Sequence, residues 1–122
     1  MQDFKKLLVW QKAADLSVAS HRIAAAIRGP QYSSVRSQII RCGMSVASNI
    51  AEGRAQRSDA EFARFLNYSL ASATELESHL LMCSRMGGVT PADCDRAVDL
   101  AIEIRRMLFG MIRKLRKDNP KP

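Results

Sequence analysis

Apolar residues return every third or fourth position along most of this chain, the repeat that places them on one face of an α-helix. Val35, Ile39, Cys42 with Gly43, Val46 and Ile50 form one such stripe. Phe62, Phe65 with Leu66, Ser69 with Leu70, Ala73, Leu76, Leu80 and Cys83 form a second. Leu100 with Ala101, Ile104, Leu108, Met111 and Leu115 form a third. A looser stripe, Trp10, Ala13 with Ala14, Ser17, Ala24 and Ile27, precedes them. No stretch shows the alternation of a strand.

Helix breakers separate the stripes. Gly29-Pro30, Gly53 with the Arg54–Ser58 link, and Gly87-Gly88 predict helices over about 4–28, 33–55, 58–86 and 90–117. Ser58-Asp59-Ala60-Glu61 has the capping-box form, in which hydroxyl and carboxylate each satisfy an orphan backbone N–H. Thr90-Pro91 places a cap residue before proline at the first helical position, and Gly87 suits a left-handed C-cap. Short links between long helices favour antiparallel neighbours. The expected fold is all-α, an up-down-up-down four-helix bundle forming a single domain over 1–122.

The middle helices carry more than a core stripe. Cys42 to Ala51 and Phe65 to Thr74 are each uncharged over ten residues. A helix with one buried face should show charge on its other face every few positions. Ser45, Ser48, Asn49, Asn67, Ala71, Thr74 and Ser78 lie opposite the core stripes, and their small side chains predict an interface between copies of the chain. The alternative is a short polar face in water.

Charge sharpens the picture. The 122 residues include 19 Lys and Arg against 12 Asp and Glu, a net charge of +7. Such an excess attracts polyanions, nucleic acid or an anionic surface, or merely solvates the protein. Alternating helices bring the first residues, the second link and the last turns to one end. Ten basic residues gather there: Lys5, Lys6, Arg54, Arg57, Arg64, Arg113, Lys114, Arg116, Lys117 and Lys121. Asp3, Glu52, Asp59, Glu61 and Asp118 oppose them, leaving a local excess of +5. The helix dipole accounts for cations in the last turn of the fourth helix. It does not account for Arg54 and Arg57 beside a helix N-terminus. Arg54, Arg57, Arg64, Arg113, Lys114, Arg116 and Lys117 are the expected nucleic-acid contacts. Without dense aromatic interleaving, the binding should tolerate any sequence. The other reading is an oligomeric scaffold or accessory protein that recruits a protein partner and never touches nucleic acid.

Signals for chemistry are weak. No Glu has His three residues later, as a di-iron bundle requires. His79 and Cys83 share a helix face, and Cys94 follows, but no fourth ligand stands at zinc-like spacing. Cys83 also continues a core stripe. Met44, Met107 and Met111 fit core filler. No phosphate loop, dinucleotide fingerprint or nucleophile elbow is present. The expectation is a non-enzyme without cofactor or metal. Three cysteines, an odd count without a leader-like start, predict a reduced cytoplasmic protein. No apolar run approaches transmembrane length, so no membrane partner is expected.

Several runs resemble one family. They are Val9-Trp10-Gln11-Lys12-Ala13, Ser37-Gln38-Ile39-Ile40-Arg41, Ser48-Asn49-Ile50-Ala51-Glu52-Gly53, Ser58-x-x-Glu61-Phe62-x-x-Phe65-Leu66 and Glu75-Leu76-Glu77. Together they resemble the bacterial four helix bundle proteins, also called 23S rRNA intervening-sequence or S23-type proteins, over nearly the whole chain. Ala47, where the family often has proline, and Ile40 with Arg41, where it often has a second basic residue, depart from the pattern. The family is similar to the accessory variability proteins of diversity-generating retroelements. That resemblance implies a pentameric, basic, barrel-like homo-oligomer binding nucleic acid and a protein partner. It brings no catalytic residues. Asn49 and Glu52 read either as interhelical hydrogen-bonding groups or as an exposed polar turn before Gly53.

Overall fold

The computed structural model describes residues 3–118. Four helices dominate: α1 (Leu8–Ala26), α2 (Ser33–Arg54), α3 (Asp59–Arg85) and α4 (Pro91–Asp118). Each packs against its neighbours in sequence, and α4 returns to α1, closing an up-down-up-down bundle. No strand occurs among the described residues.

The first helix starts later than its pattern suggests. Phe4–Lys6 forms a 3-10 turn, capped by the Asp3 side chain accepting from the Lys5 amide. Leu7 is extended, and α1 begins after it. Its buried face is Val9, Ala13, Leu16, Ser20 and Ala24, followed by buried Ile27; Ala13, Ala24 and Ile27 lie on the expected stripe, while Val9 replaces Trp10, and Leu16 and Ser20 replace Ser17. Trp10 stays half-buried against the core, edge-on to Phe4 at 5.1 Å. Gly29 and Gly87 take positive φ, +103° and +84°, where a side chain would be strained. Ser58 accepts from the Glu61 amide at 3.1 Å. The reciprocal half of the expected capping box is missing, because the Glu61 carboxylate takes Arg64 instead, Nε to Oε2 at 2.6 Å.

The stripes of α2, α3 and α4 meet at the centre. Leu16, Ile39, Ile50, Leu66, Leu76, Leu80, Ile104 and Leu108 are fully buried. Two hydroxyls share this core. Ser20 donates to its own helix at Leu16 O, and Ser69 reaches from α3 to Val46 O of α2, both at 2.7 Å. A hydrogen bond to backbone makes such burial tolerable. Ion pairs close the outside: Lys12 to Glu103 joins α1 to α4, and Arg105 to Glu77 joins α4 to α3, each at 2.8 Å. At one end of the bundle, Tyr32 Oη donates to Met86 O at 2.7 Å, tying the first link to the third. The α2–α3 link therefore lies at the other end, with the start of α1 and the end of α4.

Two glycines show where backbones meet. A Cβ on Gly43 would stand 2.9 Å from Ser20 Cβ, and one on Gly53 2.8 Å from Phe65 Cβ and 2.9 Å from Phe62 Cδ1. Gly110 has open space around it. Gly53→Ala should lower stability by about 1–3 kcal/mol, as overpacking does. Gly110→Ala should raise it by about 0.5–1 kcal/mol through helix propensity alone. Urea unfolding of both variants checks the opposite signs.

Candidate nucleic-acid interface

The last turns of α4 present Arg113, Lys114, Arg116 and Lys117, all exposed. With Gly110 they line a shallow surface hollow of about 460 Å³. None of the four pairs with a carboxylate among the described residues. The Arg105–Glu77 pair sets the register of α4 on α3. Counting along the antiparallel helices from that pair puts this run beside residues 65–69, in the second and third turns of α3. Arg57 is exposed in the link, while Arg54 is half-buried with its guanidinium 5.5 Å from the centre of the Phe62 ring.

Arg64 differs from the other expected contacts. Its Nε pairs with Glu61 and its Nη1 donates to Tyr68 Oη at 2.8 Å. It also lies over the rings of Phe65 and Tyr68, at 5.0 and 5.5 Å. This aromatic group, with Phe65 edge-on to Tyr68 at 5.7 Å, was not anticipated. Its signal was present: Phe65 lies three and Arg64 four before Tyr68, so both can meet it on one helix face. Lys121 lies outside the described residues.

At the opposite end two cations are occupied, while Arg22, Arg28 and Arg85 are exposed. Arg36 Nη1 donates to Ile27 O at 3.1 Å and Gly29 O at 3.2 Å. Arg96 pairs with Asp93 at 3.0 Å. The densest run of open cations, four within five residues of α4, sits at the end holding the α2–α3 link.

The neutral stripe is open on the single chain. Ser48, Ala71, Thr74 and Ser78 are exposed, and Ser45, Asn49 and Asn67 half-buried. Several fold back on their own helices: Asn67 donates to Ala63 O and Thr74 to Leu70 O, both at 3.0 Å. Of the two readings of Asn49, the interhelical one is not what its amide makes, since it donates to Ser45 O and Oγ within α2. The hydroxyls of Ser45 and Ser72, 2.9 Å apart, make the crossing to α3. Glu52 is exposed. Met44 is not core filler either, being 58% exposed beside this stripe. It lines an open groove of about 530 Å³ along α2 with Ser45, Ser48 and Asn49.

Cys83 and Cys94 are core residues, and the Cys94 thiol donates to Leu80 O at 3.4 Å. Burial pushes both thiols up, for Cys94 with Asp95 adding to the effect. His79 keeps company with Glu75 and Cys42 instead. Burial first, then the Glu75 carboxylate, pushes the Cys42 thiol up to about 11. A nucleophilic cysteine needs the reverse shift.

An all-helical up-and-down bundle with a cationic end defines the class of this protein. The chain matches the family described as "23S rRNA-intervening sequence protein" over residues 5–110. It belongs to that family. A solved structure from Bacteroides thetaiotaomicron, a protein of unknown function from the S23 ribosomal protein family, is similar to it. The TM-score is 0.81 at 26% identity, covering 86% of this chain and 98% of that one. No curated protein matches the sequence. No described helix is long and apolar enough to cross a membrane.

All three cysteines are free and buried. Thiol titration should therefore find none reactive at pH 8 before denaturant is added and three after unfolding. In the folded protein, Cys42 labelling should accelerate only as pH climbs toward about 11. Rapid labelling at pH 8 would contradict this packing.

Proposed function

We propose that this chain assembles into a homo-oligomer and binds nucleic acid, without sequence preference, through the end that carries the α2–α3 link. The observation that carries the reading is the run Arg113, Lys114, Arg116 and Lys117. These are four exposed cations without carboxylate partners among the described residues, at the same end as Arg57. A phosphate backbone neutralises such a set and releases its own counterions, which makes the affinity fall steeply with salt. Arg64, already satisfied by Glu61 and Tyr68, contributes less than the α4 run. The family description names an rRNA intervening sequence, and the solved relative a ribosomal protein family. Structured ribosomal RNA is therefore the first probe, with duplex DNA beside it.

Assembly rests on the neutral stripe of α2 and α3, with Met44 58% and Tyr68 45% exposed next to it. A closed ring of identical subunits would bring the cationic ends onto one face and sum their fields.

Filter binding over a series of salt concentrations should give a log–log slope near −4.5, for about five phosphates neutralised. Changing Arg113, Lys114, Arg116 and Lys117 together to Gln should flatten the slope by roughly 3 to 4 units. Arg64→Gln should change it by less than about one. Salt-independent binding, or none at low salt, rejects the nucleic-acid reading and leaves the scaffold alternative. Light scattering should give a mass several times that of the chain, and Ala71→Glu should lower it by placing charge in the stripe. A wild-type monomer rejects the assembly.

A further inference from the structure

Between α2 and α3, midway along the bundle and away from the cationic end, three side chains of metal-binding type converge. A sulfur from Cys42, a carboxylate oxygen from Glu75 and a ring nitrogen from His79 all lie within 4.8 Å of one another. We infer that Cys42, Glu75 and His79 form a binding site for a divalent transition metal of the zinc class, bridging the two helices.

The donor set suits that ion. Zinc takes thiolate, imidazole and carboxylate together, with bonds of about 2.3 Å to sulfur and about 2.0–2.2 Å to nitrogen and oxygen. Tetrahedral angles at those lengths separate neighbouring donor atoms by about 3.3–3.8 Å. Glu75 Oε1 and His79 Nε2 are 3.6 Å apart, inside that window. The same distance is too long for a hydrogen bond. His79 Nε2 is indeed buried with no hydrogen-bond partner. A buried ring nitrogen left in this way is costly, and a metal ion satisfies it.

Charge and access agree. Thiolate and carboxylate together cancel a dication, and a bound ion removes the thiol proton outright. Glu75 and His79 stand four apart on one face of α3, the spacing by which a helix offers two ligands to one ion. Cys42 approaches from α2 and is almost fully buried, while Glu75 is exposed and marks the entry side. Three protein ligands leave the fourth tetrahedral position to water. Bound in this way, the ion cross-links α2 to α3.

Cobalt(II), an absorbing substitute for zinc, tests it with the reduced, metal-free full-length chain. The expected spectrum has a thiolate-to-cobalt charge-transfer band and strong tetrahedral d–d bands. They should saturate at one cobalt per chain and disappear when zinc is added. Cys42→Ser should abolish the charge-transfer band, and Cys83→Ser should keep it. Glu75→Gln and His79→Gln alter side chains at the rim, so their helical circular dichroism should hold. Each should still weaken cobalt binding by at least about ten-fold, the lower range seen when even an outer-shell partner is removed. A wild-type chain with no thiolate–cobalt band overturns the site. So does unchanged affinity in both Glu75→Gln and His79→Gln, which would make the cluster an ordinary helix-surface pair beside a buried cysteine.

Discussion

Gly53 leaves no space for a methyl group between α2 and α3. Its missing side chain lets the end of α2 rest on Phe62 and Phe65, at a separation that only hydrogen can occupy. Further along the same seam, Ser69 reaches across to Val46 O and Ser45 meets Ser72. These contacts fix the sliding register of two antiparallel helices. Once that register is set, the position of every side chain facing the seam follows from helical geometry. The link bearing Arg57 is held at one end, and Cys42 is brought level with Glu75 and His79 in the middle. A packing constraint of a few atoms thus decides where both charge and chemistry can gather.

Local pattern reveals what one helix does alone, and much of this fold was legible on that basis. The stripes of α2, α3 and α4 are long and regular, and Gly29 and Gly87 mark breaks between helices, while Gly53 falls within the last turn of α2. The first helix was harder. Leu7-Leu8-Val9-Trp10 is apolar throughout, so periodicity could not choose between Trp10 and Val9 as the buried position. The packing chose Val9 and left Trp10 against Phe4. Contacts that need interhelical register were beyond the sequence. Spacing along α3 links His79 to Cys83, whereas the bundle buries Cys83 in the core and offers His79 the thiol of Cys42. Likewise the motif around Asn49 gave no sign that Ser45, rather than Asn49, crosses to α3.

Charge follows a similar division. Chain reversal alone was enough to place the basic residues at a common end. It did not distinguish cations already satisfied from those left open. Glu61 could have completed a capping box, yet it takes Arg64, and Tyr68 accepts a second hydrogen bond from the same guanidinium. At the far end, Arg36 is spent on two carbonyls and Arg96 on Asp93. Arg22, Arg28 and Arg85 at that end are exposed but scattered over α1, the first link and α3, whereas the α4 run holds four exposed cations within five residues that repel one another and that no described carboxylate relieves. Such a surface is stabilised by an anion that spans several positive charges at once, and a phosphate backbone has that spacing and reach.

The α2–α3 seam serves nucleic-acid binding only if the end that it organises is where a polyanion docks. Amide chemical-shift mapping of the labelled protein with a short RNA duplex at low salt resolves this residue by residue. The account predicts perturbations concentrated at Arg57 and its link neighbours and along Arg113 to Lys117. The turns at Gly29–Tyr32 and Gly87–Thr90 should stay unmoved. Shifts centred on those distant turns, or spread evenly over the bundle, would contradict it.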